Sequence, residues 1–194
     1  MAAAFTEFTR RGFGAARVSV IARRAGVSLA TLQQYFPSKD ELFREVVRTT
    51  IITQLPGRSE PEGATAPDRP AVDRLRMFVR QFWRAMEQPE QAALLRLSVG
   101  ELPGFPELAV FHTTEVIGRA VTRLEGILAD GSDTGELRIP DSRTTARVIQ
   151  SALITYALWF ASPGIYGGLT GHDRERAEDA VIEVLVGALG GAAA

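Results

Sequence analysis

The stretch IARRAGVSLATLQQYFPSKDELF, residues 21–43, sets narrow limits on the fold. Two apolar-periodic runs flank Gly26, and each is too short to persist as an isolated helix. Ser19 can cap the first, about Val20 to Ala25, and Gly26 takes the left-handed conformation that ends it at low cost. Ser28 can cap the second, about Leu29 to Tyr35, by accepting a backbone N–H. Pro37 disfavours helical geometry at Phe36 and closes that run. Ser38-Lys39-Asp40-Glu41 then supplies a capping box, S-x-x-E, for a third helix. Ile21, Ala22, Ala25, Val27, Leu32, Phe36, Leu42 and Phe43 make a three-helix core, with Ala22 and Ala25 small enough for close crossing.

Two short helices joined by a glycine turn are a helix-turn-helix, whose second helix fits a major groove about 12 Å wide. Its outward residues are Ala30, Thr31, Gln33, Gln34 and Tyr35. Glutamine can bond adenine N6 and N7, and Ala30 and Thr31 can touch a thymine methyl. Tyr35, Ser28 and Lys39 are typed for phosphate, Lys39 at a helix start that favours anions. Charge agrees with this reading. Residues 1–48 hold eight basic and four acidic side chains, whereas the remainder holds 14 basic and 19 acidic. A basic head on an acidic body suits contact with a polyanion, with Arg17 and Arg44 beside Lys39 as cations that displace counterions.

The rest of the chain is read as helical. No sustained alternation of β-branched and polar residues occurs, so the expected class is all-α. LPGRSEPEGATAPDRP, residues 55–70, reads as a linker. It separates a DNA-binding domain, 1–48, from a domain at 49–194. Helices are expected over Ala71–Met86, Glu90–Val99, Pro106–Leu128, Ser142–Ala161 capped by Asp141, and Asp173–Leu189. Asp-Gly-Ser-Asp-Thr-Gly ends the third of these and Ser162-Pro163-Gly164 the fourth. Val148 to Gly171 carries no charge, but Pro163-Gly164 and Gly167-Gly168 break it short of the ~20 residues a span needs. A helix buried in protein is expected, with no membrane contact. The last helix is apolar around nearly its whole circumference and must be covered on more than one side. A homodimer through the last two helices is therefore expected, with Ile149, Leu153, Tyr156, Val181, Leu185 and Leu189 at the interface.

The combination Phe8-x-x-x-Gly12-Phe13, Val18-Ser19-Val20-Ile21-Ala22, Ala25-Gly26-Val27-Ser28, Thr31-Leu32 and Tyr35-Phe36-Pro37-Ser38-Lys39-Asp40-Glu41-Leu42-Phe43 resembles the tetracycline-repressor-like (TetR) family of bacterial regulators. The resemblance covers about 40 residues. It implies an all-α homodimer of about nine helices per subunit, Ω-shaped, in which the first three helices and the start of the fourth bind a palindromic operator. It also implies a divergent second domain that binds a small effector and releases the DNA, with repression as the default. A weaker similarity to a common subtype rests on Ala93-Leu94-Leu95-Arg96-Leu97, Glu101 and Phe105-Pro106-Glu107-Leu108. Two departures stand out. Gln33 replaces the usual tyrosine after Thr-Leu, and the first helix begins late enough to read as truncated.

Phe78, Phe82, Trp83, Met86, Leu95, Val99, Phe105, Phe111, Thr114 and Trp159 are the expected lining of a mostly apolar effector pocket, flanked by Glu101 and His112. Two alternatives are weighed against a ligand-responsive repressor. The late start of the first helix leaves open, as a minor alternative, a degenerate member that dimerises and binds ligand but not DNA. A small helical enzyme is disfavoured: there is no cysteine, and only His112 and His172 offer an imidazole. No nucleophile elbow, Walker loop or zinc-binding H-E-x-x-H occurs, so no catalytic residue, metal or cofactor is implied. Gly12-Phe13-Gly14 reads as a chance glycine pair at a helix end, not a dinucleotide loop. The absence of a signal peptide and of cysteine fits a cytoplasmic protein.

Overall fold

The computed structural model describes residues 1–52, 69–170 and 174–190. The helices are α1 (Ala2–Ala15), α2 (Val18–Ala25), α3 (Leu29–Tyr35), α4 (Lys39–Val47), α5 (Ala71–Glu87), α6 (Pro89–Glu101), α7 (Pro106–His112), α8 (Arg119–Asp133), α9 (Ser142–Ala161), α10 (Pro163–Thr170) and α11 (Arg174–Leu189). A π-helical stretch, Thr113–Gly118, joins α7 to α8 without a loop. Counting those two as one gives ten among the described residues, close to the nine expected. No strand occurs among the described residues, only an isolated bridge between Leu137 and Gly190. The expected linker lies outside the described residues except for Arg69 and Pro70.

The chain divides into two compact units, Met1–Leu55 with Pro89–Val116, and Pro56–Gln88 with Ile117–Ala194. The boundary thus differs from the expected cut at residue 48, because α6 and α7 pack with the N-terminal helices. In the first unit Phe8, Phe13, Ile21, Leu32, Leu42, Phe43, Val46, Leu94, Leu97 and Leu108 share one core. Phe13 is its hinge. Its ring meets Phe8, Phe43 and Phe105 at centroid distances of 5.8, 5.2 and 4.7 Å. In the second unit Leu75, Phe78, Val79, Trp83, Leu124, Ile127, Leu128, Ile149 and Leu153 are buried.

Local signals explain most boundaries. Asp141 accepts from the N–H groups of Arg143 and Thr144 and starts α9 where expected. The Thr144 hydroxyl bonded to it is the main reason its carboxyl stays below the ordinary range. Two departures from expectation are the largest. α8 runs through Gly131 to Asp133, and that glycine serves packing instead of ending the helix: a Cβ there would come within 2.5 and 2.8 Å of the Leu137 and Ala71 side chains. Gly135, at φ 77°, follows its end. α10 is unforeseen: Pro163 ends α9 but also opens the next helix, a position where its missing N–H costs nothing. No single described helix is long and apolar enough to cross a membrane. α9 and Pro163–Leu169 reach that length and composition only together, bent by 114°.

Candidate nucleic-acid interface

The site is built on α2, the turn and α3. α2 begins at Val18, two residues before the expected start, and Arg17 rather than Ser19 occupies its N-cap. Gly26 adopts φ 71° and ψ 24°, the left-handed turn required by the sequence pattern. The N–H of Val27 donates to Ala22 O at 3.1 Å, so the backbone of Val27 faces inward. Its side chain does not. Val27 is 41% exposed and Ala25 is exposed too, which removes both from the expected three-helix core. Ser28 Oγ accepts from the Thr31 N–H at 3.0 Å and lies 2.8 Å from the Thr31 hydroxyl. Ser38 Oγ accepts from the Glu41 N–H at 3.1 Å, the forward half of the capping box.

Of the seven residues in α3, Leu32 alone is buried. At about 100° per residue, Ala30 and Gln34 point most directly away from it. Leu29 and Gln33 flank one side, and Thr31 and Tyr35 flank the other. All six are exposed, Tyr35 at 74%. Arg10, Arg17 and Arg23 are exposed on α1 and α2 with no ion-pair partner among the described residues. Leu29, at the first position of the helix, is absent from the face expected from sequence, although its place one turn before Gln33 puts it there.

Lys39, expected at a phosphate, is engaged within the protein in this structure. Its ammonium donates to the carbonyls of Phe13 at 2.8 Å, Gly14 at 3.0 Å and Ala16 at 3.5 Å, and sits 4.6 Å from the centre of the Phe13 ring. An ammonium has three donors, and the carbonyls at the end of α1 take all three. In the free protein Lys39 therefore holds the C-terminal end of α1. Arg44 is also engaged within the protein, 3.9 Å from Glu107 and 5.1 Å from the Phe111 ring.

The end of α1 is held from a second direction. Gly12 breaks the helix at φ 78°, ψ 166°, a conformation that is essentially glycine-only. The Glu101 carboxylate rests on it, where a Cβ would collide, and accepts from the Gly14 N–H at 3.3 Å. The glycine pair is thus not a chance one. Nearby, Glu7 is almost fully buried and pairs with Arg24 at 2.9 Å, tying α1 to α2.

The expected pocket residues are divided between the units. Leu95, Val99, Phe105, Phe111 and Thr114 belong to the first. There Phe111 is a core residue buried beneath Arg44 and Arg48, and the partly buried Phe105 packs against that core through Phe13. Val99 and Thr114 are exposed. Phe78, Phe82, Trp83, Met86 and Trp159 belong to the second. Trp83 is fully buried against Phe82, Tyr156 and Phe160, and its Nε1 has no hydrogen-bond partner among the described residues.

His112 is a structural residue in the first unit. Its Nε2 lies 3.1 Å from Ser98 Oγ, and burial lowers its pKa to about 4. Below the ordinary histidine value near 6.5 the unfolded chain binds a proton that the folded chain refuses. Stability is therefore full above about pH 6.5 and falls as pH drops towards 4, by a few kcal/mol at most. Urea titrations of the wild type and His112→Gln between pH 4 and 7 check this. The variant should show a shallower loss, and parallel curves would rule out His112 as the cause.

On the expected dimer face, Ile149 and Leu153 are 3% and 1% exposed within one subunit, so they serve its own core. They floor a groove of about 450 Å3 walled by Ser151, Ala152, Thr155, Tyr156, Trp159, Val181 and Leu185. Val148 and Val184, on the same two helices, are 63% and 69% exposed. No group of three or more acidic, histidine or cysteine side chains suited to a metal occurs among the described residues.

Comparison with known proteins agrees with this geometry. Residues 1–46 match the family described as bacterial regulatory proteins, tetR family, and residues 73–188 match the AefR-like transcriptional repressor C-terminal domain. The chain belongs to the tetR family and is a transcriptional regulator with a DNA-binding helix-turn-helix. It is similar to the HTH-type transcriptional repressor KstR of Rhodococcus jostii (strain RHA1), 23% identical over 148 residues. That alignment covers 76% of this chain and 66% of the relative, so the chain matches just under two thirds of the relative's length. A tetR-family regulatory protein from Rhodococcus RHA1 has a similar structure, with TM-score 0.73 at 22% identity, covering 98% of this chain and 95% of that one. The flavonoid-responsive regulator FrrA gives TM-score 0.68 at 25% identity, covering 99% and 95%. These relatives are regulators, not enzymes.

Proposed function

We propose that this regulator is a cytoplasmic homodimeric repressor that binds a palindromic operator through α3 and is released by a small, mostly apolar effector. The observation that carries the reading is the face of α3: six exposed residues, two of them adjacent glutamines, around one buried leucine. Gln33 and Gln34 face base edges, Ala30 and Thr31 lie beside them, and Tyr35 reaches the backbone of the DNA. Arg10, Arg17 and Arg23 supply the cations that displace counterions. Two copies of α3, one per subunit, read half-sites about one DNA turn apart, ~34–36 Å.

The dimer interface is the apolar surface of α9 and α11, centred on Ala152, Val184 and Leu185. The effector binds in the second unit, against Phe82, Trp83, Met86 and Trp159. The unpaired Trp83 Nε1 supports this as a donor to an acceptor on the ligand. The description of FrrA as flavonoid-responsive supports small-molecule control. The effector acts only through its different affinities for the DNA-competent and released states.

The test is fluorescence anisotropy with duplex DNA from upstream of the protein's own gene, across a salt series. Affinity should fall steeply with salt. Arg17→Ala should weaken all sequences alike and reduce the log–log slope by about one for each phosphate that Arg17 neutralises. Gln34→Ala should change base preference at one position of each half-site, by about tenfold or more. Salt-independent binding, or binding untouched by both substitutions, would show that α3 is not the reading helix.

A further inference from the structure

We infer that Leu29 reads thymine C5-methyl groups in the major groove and so fixes A·T pairs in the operator, an inference that rests on the operator-binding reading above. Leu29 is a large apolar residue, 41% exposed, at the start of α3, the helix assigned above to the major groove. Single exposed leucines are ordinary on protein surfaces. This one is not isolated. Val27, also 41% exposed, lies two residues before it, and Ala30 follows. The polar side chains on either side, Ser28 and Thr31, hydrogen-bond each other at 2.8 Å.

The helical repeat gives the apolar residues a specific neighbourhood. Leu29 lies one turn from Gln33, and Ala30 lies one turn from Gln34. Each glutamine therefore stands beside an apolar side chain. A glutamine amide matches adenine N6 and N7. The thymine of the same pair presents its only apolar group, the C5-methyl, in the same groove. The carboxamide matches adenine, and the aliphatic carbon beside it matches the thymine methyl while offering nothing to the N4 donor of cytosine or the O6 acceptor of guanine. The apolar edge of α3 commits to methyls because no other group in the major groove is apolar.

The experiment separates the inference from the reading beneath it. Wild-type protein is used to select a duplex from a randomised 30-base-pair pool, and the selected duplex is resynthesised with deoxyuridine at each thymine in turn. Uracil lacks only the methyl group. Wild-type affinity should fall about fourfold for each methyl buried against Leu29, the worth of one buried methylene-sized group. Leu29→Ala should bind the thymine duplex more weakly and lose most of its sensitivity to uracil at those same positions. Leu29 is outside the core, and equal melting curves for the two proteins confirm that the fold is intact. Should Leu29→Ala unfold, Leu29→Ser is scanned in its place, and a wild-type scan with no sensitive position overturns the inference by itself. Sensitivity retained in full by Leu29→Ala also overturns it, because another residue then reads the methyl. A pool in which no duplex is enriched overturns the operator-binding reading itself, and the inference falls with it.

Discussion

Gly12→Ala should destabilise the protein by about 3–5 kcal/mol, a loss near 10 °C in melting temperature for a chain of this length. Gly12 holds φ 78° and ψ 166° within α1, and an L side chain there is strained whatever the surrounding space. The space is also occupied. The Glu101 carboxylate covers the glycine and accepts from the Gly14 N–H. A carboxylate can swing aside, so the collision can be relieved at the cost of that hydrogen bond, whereas the backbone strain cannot. Adding Glu101→Ala to Gly12→Ala should therefore recover part of the lost stability but not all of it. Circular dichroism melts of the two single variants, the double variant and the parent measure both effects. A Gly12→Ala variant that melts within a degree of the parent would show that α1 does not need this bend.

Lys39→Ala should cost about 2–3 kcal/mol in the absence of any DNA, the scale for removing charged hydrogen bonds to partly buried carbonyls. The carbonyls of Phe13, Gly14 and Ala16 would lose the cation that gathers them, and α1 would separate from α2 and α4 at its C-terminal end. Lys39→Arg should not restore the loss, because a planar guanidinium cannot aim three N–H groups at one point as an ammonium does. Operator affinity should also fall for both variants, as an indirect result of a displaced α3. The distinguishing measurement is thermal stability of the free protein. Unchanged melting together with weakened DNA binding would return Lys39 to the phosphate-contact role.

Local structure is legible in the sequence wherever one residue type has one geometric use. Gly26, Ser28, Ser38 and Asp141 each do what their positions predict, because turns and caps are decided within a few residues. The bounds of α3 are legible to the residue for the same reason. What escapes is decided over distance. Nothing near Lys39 in sequence indicates that its partners lie 23 to 26 residues earlier, or near Gly12 that Glu101 covers it. A lysine at a helix start suggests anions, and only the packed α1 turns it towards carbonyls. The α9 periodicity marks Ile149 and Leu153 as apolar, but it cannot say whether a residue faces its own subunit or another. Phe105 and Phe111 are marked as apolar in the same way and expected in a pocket, whereas the fold uses them under α1 and α4. Pro163 reads as a stop because a proline that ends one helix and a proline that begins the next have the same local signature.

The single buried residue of α3 has a consequence for how such a protein changes over time. Six of the seven positions in that helix contribute little to folding, since exposed substitutions usually shift stability by less than about 0.5 kcal/mol. Target preference can then drift, or be redirected by an engineer, without a matching second change in the core. The seven-residue segment is a replaceable cassette: Leu32 and the flanking Gly26, Ser28 and Ser38 hold the frame, and the remaining letters are free to spell a different address.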